Sequence, residues 1–176
     1  MYKIVTVPNA ILKKPVRKIA EIDNRIKKIA IEMAETLEKL DHPKGVGLAA
    51  NQVGLDLAIF VFRDHNKIRP IINPQIIWHS NSEVLDQREK NTMLEGCLSI
   101  PNYYGTVKRY DRVKISYLDL DGKIREEEFG MPEAVIIQHE TDHLNGKLFI
   151  EKLLQQKGKL YKYQDNKKEE LVEVQI

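Results

Sequence analysis

Between residues 24 and 40, apolar side chains recur at Ile26, Ile29, Ala30, Met33, Ala34, Leu37 and Leu40. That three-and-four spacing predicts a helix with one buried face. Asp23 supplies an N-cap, and Asp41, His42 and Pro43 end the helix, because the residue before a proline resists helical geometry. From residue 57 to 129 the pattern is mainly that of strands. Residues 57–62 are a short apolar run, expected as a buried strand. Residues 68–72 and 75–78 read as strand segments broken by Pro70 and Pro74. Residues 79–92 are polar and read as a surface connection. Val113, Ile115 and Tyr117 then alternate with Lys114 and Ser116, which predicts a half-buried strand over 112–120. Asp121-Gly122 signals a hairpin turn into a return strand over 123–129.

Pro132 suits the first turn of a helix, and Gly146 suits the position just past its end. Ala134, Val135, Ile136 and Ile137 cover nearly the whole circumference of that helix, so it is expected to be buried. Residues 159–176 alternate weakly and predict a hairpin around 164–168. No repeat, low-complexity tract or linker interrupts the chain. The expected class is α+β: mostly antiparallel sheets packed around a central buried helix, plus an N-terminal amphipathic helix. Residues 1–176 are expected to form a single domain, with 155–176 as a variable C-terminal tail.

Charge narrows the function classes. The chain carries 28 basic and 26 acidic side chains, a net charge of +2. That balance argues against specific DNA binding. Residues 3–28 are locally basic, with eight Lys/Arg against Glu21 and Asp23, and read chiefly as a solvated face. No apolar run approaches the roughly 20 residues of a membrane span. The N-terminal stretch has no signal-peptide core, so a cytoplasmic setting is expected. The single cysteine, Cys97, excludes an internal disulfide.

Chemistry concentrates in the buried helix. In HETDH, His139 and His143 stand four residues apart, which puts both imidazoles on one face, with Glu140 beside them. This is the H-E-x-x-H arrangement of zinc hydrolases. A third protein ligand must come from elsewhere. A second histidine pattern fails, because the sixth residue after His143 is Phe149. Glu151 follows too closely, and Glu169, Glu170 and Glu173 lie in the polar tail. Cys97, in EGCLSIP, is the best remaining donor. A thiolate with two imidazoles leaves one position open, the pattern of a catalytic site. Residues 45–54, GVGLAANQVG, form a glycine-rich loop that matches neither a phosphate loop nor a dinucleotide fingerprint.

Three segments, GVGLAANQ (45–52), EGCLS (95–99) and QHETDH (138–143), resemble the three signature motifs of peptide deformylases of bacterial type, in order and at comparable separation. The likeness runs over most of residues 3–150, and the tail carries no motif. The resemblance implies a hydrolase that removes the formyl group from the initiator methionine of nascent chains. Cys97, His139 and His143 would bind one metal ion, usually Fe²⁺, with Zn²⁺ or Ni²⁺ accepted. Glu140 would move the proton. The Gln52 side chain and the Leu98 N–H would stabilise the oxyanion. Gly45, Val46 and Gly47 would pair with the peptide backbone, and Val46, Met93, Leu98, Val135 and His139 would hold the methionine side chain.

Asp142 on a buried helix needs a partner, and Arg109 is the candidate for an outer ion pair that steadies the histidines. The expected partners are N-formyl-methionyl peptides and the ribosome near its exit tunnel. Two other classes remain in view: an HExxH zinc endopeptidase, and a deformylase-fold module that binds without catalysis. The second would lack Glu140, Gln52 or a ligand, and none is missing.

Overall fold

The run Ile59, Phe60, Val61, Phe62 is fully buried, and it decides how the layers stack. Successive strand residues face opposite sides, so an unbroken apolar run needs cover on both. Ile59 and Val61 pack with Ile26, Ile29, Met33 and Leu37 of the N-terminal helix. Phe60 and Phe62 pack with Ala134, Ile137 and Leu144 of the motif-bearing helix. The sheet that holds this strand therefore lies between two helices.

The computed structural model describes all residues except 42, 43, 66, 86, 89, 90, 93, 165, 166 and 176, and the backbone alone at 85, 87, 88, 91, 92, 164 and 167–170. The helices are α1 (Asn24–Glu38), α2 (Glu133–Leu144) and α3 (Phe149–Gln155). The strands are β1 (Gly47–Ala49), β2 (Ile59–Asp64), β3 (Lys67–His79), β4 (Glu83–Leu85), β5 (Gln87–Arg88), β6 (Asn91–Thr92), β7 (Glu95–Cys97), β8 (Ile100–Gly105), β9 (Lys108–Tyr110), β10 (Val113–Leu118), β11 (Ile124–Phe129), β12 (Leu160–Gln164) and β13 (Lys167–Val174). One sheet runs β1-β2-β3-β10-β11 and a second runs β13-β12-β8-β7; β4-β9 and β5-β6 form small pairs. Every one of these pairings is antiparallel.

Asp23 caps α1 by accepting from the Ile26 N–H at 2.8 Å. The helix stops at Glu38, slightly before the expected end; His42 and Pro43 lie outside the described residues. On α2, Gln138 holds the backbone of β9 like a neighbouring strand. Its Oε1 accepts from the Tyr110 N–H at 3.1 Å, and its Nε2 donates to the Tyr110 carbonyl at 2.9 Å. The C-terminal segment forms the hairpin β12–β13, which extends the second sheet through β8. A third apolar cluster, with Leu12, Ile100, Phe149, Leu153 and Leu160, joins that sheet to α3.

Three local expectations are corrected. Pro70 and Pro74 do not break the strand, since β3 runs continuously from Lys67 to His79. Pro70 sits opposite Val61, at a pair that exchanges no hydrogen bonds, and β10 pairs only from Ile72 onward. Its missing N–H is therefore not needed. Pro74 follows Asn73, whose φ is 49°, in the irregular stretch where the register against β10 slips between Ile72 and Gln75. The polar segment 79–92 contains the short strands β4, β5 and β6 rather than a plain connection. The helix α3 was not expected; its seven residues are too short for a periodic signal.

Gly146 joins α2 to α3 with φ 68°, and a Cβ there would lie 2.7 Å from the Lys14 carbonyl carbon and 2.8 Å from that of Lys13. Gly122 has φ 76° but open space around it. Gly146→Ala should therefore cost about 2–4 kcal/mol, left-handed strain plus a backbone clash, while Gly122→Ala costs about 1–2 kcal/mol from strain alone. Urea midpoints of the two variants, at equal slope, check the difference.

Candidate metal centre

Three chain segments converge on one point. The helix α2 carries His139, Glu140 and His143, all buried. The end of β7 carries Cys97, and the turn after β1 carries Gln52. The Cys97 Sγ and the His139 Nε2 each lie 3.1 Å from the His143 Nε2. The ligand atoms of all three residues lie within 4.8 Å of one another. A tetrahedral ion with bonds of about 2.0–2.3 Å sets its ligands about 3.3–3.8 Å apart, so this donor set fits a single ion with one position left over. Two imidazole nitrogens and a sulfur facing one another in a buried site form a donor set that a shared cation would satisfy.

Two of the other candidates for the third ligand are engaged elsewhere, while Glu169 and Glu170 are described in backbone alone. Glu151 pairs with Lys13, and Glu173 with Lys159. Phe149, at the position a third histidine would need, lies against His139 with ring centroids 6.4 Å apart. A second group, Asp64, His65 and Glu133, also brings ligand atoms within 4.8 Å. There, however, Asp64 is held by Arg69 at 2.7 Å and His65 is exposed.

Behind the donors lies a chain of charges. The His139 Nδ1 donates to the Glu95 Oε1 at 2.6 Å, which points its Nε2 at the other two donors. Glu95 is gripped by Arg109 through two bonds, 2.9 Å from Nε and 2.6 Å from Nη2. Arg109 also donates to the Asp142 Oδ2 at 2.5 Å, so the two residues expected to pair are in contact. Lys152 reaches the same carboxylate at 3.3 Å. The Arg109 side chain is 1% exposed. Burial alone would raise the Glu95 carboxyl, but the charges of Arg109 and His139 outweigh it and hold Glu95 well below the usual carboxylate range. Burial opposes a charge on His139, yet Glu95 and Cys97 keep its pKa well above the ordinary imidazole value. Burial and the charge on His139 push His143 the other way.

Glu140 stands apart from that chain. Burial pushes its carboxyl up to about 7, against the pull of the charge on His139. Among the described residues, its Oε2 has no hydrogen-bond partner. Gly47 faces it so closely that a Cβ there would overlap the Glu140 Oε1. The Gln52 amide is fixed at both ends. Its Oε1 accepts from the Ala49 N–H at 2.8 Å, and its Nε2 donates to the Ser99 Oγ at 3.2 Å while lying 3.5 Å from the Cys97 Sγ.

A cavity of about 370 Å³ opens over the donors, with Gly45, Val46, Gly47, Gln52, Leu98 and Val135 in its wall. Met93 lies outside the described residues. The register between β1 and β2, with the Arg63 N–H donating to the Val46 carbonyl at 2.8 Å, turns the Gly47 N–H and carbonyl away from β2. Both β1 and β7 are edge strands that line this cavity.

Sequence reasoning overlooked three contributors. Glu95, within EGCLS, orients His139. Ser99, in the same motif, anchors Gln52. Asn51 donates through Nδ2 to the His143 carbonyl at 2.6 Å and fixes the end of α2. Their only signal is membership of the motif segments EGCLS and GVGLAANQ.

The polypeptide deformylase family model matches residues 1–159. The peptide deformylase of Bartonella tribocorum is 37% identical over 158 residues, covering 86% of this chain and 83% of that protein. That of Borreliella burgdorferi is 44% identical over 151 residues, covering 85% and 86%. The crystal structure of the Thermotoga maritima peptide deformylase superposes with a TM-score of 0.77 at 34% identity, covering 86% of this chain and 97% of that one. The Synechococcus elongatus enzyme, solved in complex with actinonin, gives 0.77 at 31% identity, covering 86% and 78%. A match of this extent, over a chain that folds its Cys and two His donors together beneath a peptide-sized cavity, means that the protein belongs to the peptide deformylase family, metal-dependent hydrolases that remove the N-formyl group from new polypeptides.

Proposed function

We propose that Cys97, His139 and His143 hold one Fe²⁺, replaceable by Zn²⁺ or Ni²⁺, and that Glu140, Gln52 and Leu98 carry the deformylation of N-formyl-methionyl peptides. The observation that carries this reading is the Glu140 carboxyl: buried, without a hydrogen-bond partner at Oε2 among the described residues, and next to His139 on α2 in the wall of the cavity that opens over the donors. When bound, the ion supplies Lewis acidity and a water molecule acidified toward neutrality.

The Glu140 Oε2 is the free acceptor for a proton from the attacking water, and a carboxyl near 7 can return it. The water oxygen adds to the formyl carbon, the carbon–nitrogen bond breaks, and the proton goes to the departing amine. Formate and a free methionine amino group result. The oxyanion that develops in between receives the Gln52 Nε2 hydrogen bond and the Leu98 N–H. Ala49 holds the Gln52 carbonyl end in place, so the donor is aimed before the substrate arrives.

The substrate backbone pairs along the edges of β1 and β7, with the outward groups of Gly47 as its first contacts. Val46, Leu98, Val135, His139 and Met93 surround the methionine side chain. Arg109 and Asp142 act through Glu95 and α2, holding His139 in position. Residues 1–176 make up one catalytic domain, and the hairpin beyond 155 is its variable part. The working setting is the cytoplasm, where chains leave the ribosome; in keeping with this, no helix of the described residues is long and apolar enough to cross a membrane.

Glu140→Ala should keep its metal and lose about 10²–10⁴-fold in formate release, because the ligands stay while proton transfer goes. Metal content and turnover, measured on the same preparation, check this. Cys97→Ser should lower metal content and activity together, since a hydroxyl replaces a thiolate; full occupancy at the wild-type rate would place the third ligand elsewhere. An iron-loaded enzyme should lose activity over hours in air and keep it under nitrogen, because Fe²⁺ and its thiolate are both open to oxidation. Nickel loading should restore stable activity. Undiminished activity in air, with zinc as the only ion found, would reject iron as the working metal.

A further inference from the structure

The cavity over the donors has an asymmetric rim. One lip is the stretch 44–47, and its backbone is pinned from behind by Arg63. That guanidinium donates to the Gly45 carbonyl at 2.8 Å and to the Leu37 carbonyl at 3.0 Å, and its Nη1 pairs with Glu38 at 2.9 Å. Lys44 stands at the outer end of this lip. It lines the cavity, is exposed, and has no ion pair or side-chain hydrogen bond among the described residues. Its backbone bridges to Asp41, whose carboxylate does not engage it. The facing lip, with Pro101, Asn102, Tyr103 and Tyr104, is uncharged. Apart from those tyrosines, the other ionisable wall residues are Glu95, paired with Arg109 and His139, and Glu140, all on the floor along with the donors Cys97 and His139. Among the described residues, Lys44 is the one lysine or arginine in the wall of this cavity, and His139 lies on the floor with Glu95.

Spacing says which part of a substrate meets it. Gly47 abuts Glu140, so the reacting end lies beside Gly47. Three residues on from Lys44 comes Gly47, and with a bend at Val46 the lip spans no more than about 10 Å between them. A peptide running antiparallel to the lip, formyl group at Glu140, places its methionine beside Val46. Its second and third residues then pass Gly45 and Lys44. We propose that Lys44 makes the enzyme favour formyl-methionyl peptides with an acidic side chain at the second or third position. The proposal rests on the substrate direction given above.

An exposed ion pair supports a modest effect, about 2–5-fold in kcat/KM. The contact is remote from the reacting bond and persists through the reaction, so it should act on KM rather than kcat. Salt at 0.5 M should flatten it.

The test measures formate release from formyl-Met-Ala-Ala, formyl-Met-Asp-Ala, formyl-Met-Ala-Asp and formyl-Met-Ala-Lys, each amidated at the C-terminus so that no terminal carboxylate supplies the charge. The wild-type enzyme should favour an Asp peptide over the Ala reference about 2–5-fold and disfavour the Lys peptide. Lys44→Arg should keep the order, Lys44→Ala should abolish it, and Lys44→Glu should reverse it. Equal kcat/KM for all four peptides in the wild type, or a preference that survives Lys44→Ala, would overturn the proposal. Absence of formate from every peptide would instead overturn the deformylase reading beneath it.

Discussion

A guanidinium buried to 1% exposure governs how this molecule holds together around its donors. Arg109 comes from β9, Glu95 from β7, and Asp142 and His139 from α2. Two carboxylates beside one cation would be unstable if any member were missing, since a broken buried pair typically costs about 3–5 kcal/mol. The same three-way contact is therefore a structural clamp between sheet and helix, and the rest that sets the angle of His139. Stability and chemistry share a single set of hydrogen bonds here, so neither can drift without the other.

The helix that carries the donors needs a firm seat, and β2 gives it one. Phe60 and Phe62 fill the side toward α2 while Ile59 and Val61 fill the side toward α1. Because both faces are buried, a slip of one residue would set two phenylalanines against α1 and two smaller aliphatics against α2. Close-packed cores tolerate such volume changes poorly. The register of β2 in turn sets that of β1, and so brings Gly47 up to Glu140.

Local patterns in the chain foretold local structure. The spacing from Ile26 to Leu37 identified α1, the alternation at 113–117 identified β10, and HETDH placed two imidazoles on one side of α2. Cys97 was legible by elimination among donors. The cases that failed share a cause. Glu95 meets His139 across 44 residues and Asn51 meets His143 across 92, and no periodicity encodes such distances. Pro70 was misread because its tolerance depends on which side of β3 lacks a neighbour, a property of the sheet rather than of the strand. The site's ingredients were visible in the sequence, while the network that orients them needed the fold.

The two edges beside the cavity, β1 and β7, are each only three residues long. An unpaired strand edge is a template that other chains can join, and proteins usually blunt theirs with charge or cover. This molecule needs its edges bare if a substrate backbone is to dock, yet a bare edge in a crowded cell invites aggregation. Brevity reconciles the two demands. Three residues give enough hydrogen bonds to seat the start of one extended chain and too few to nucleate a growing sheet. Selection on such a protein should therefore act against lengthening either strand, even where the added residues touch no substrate.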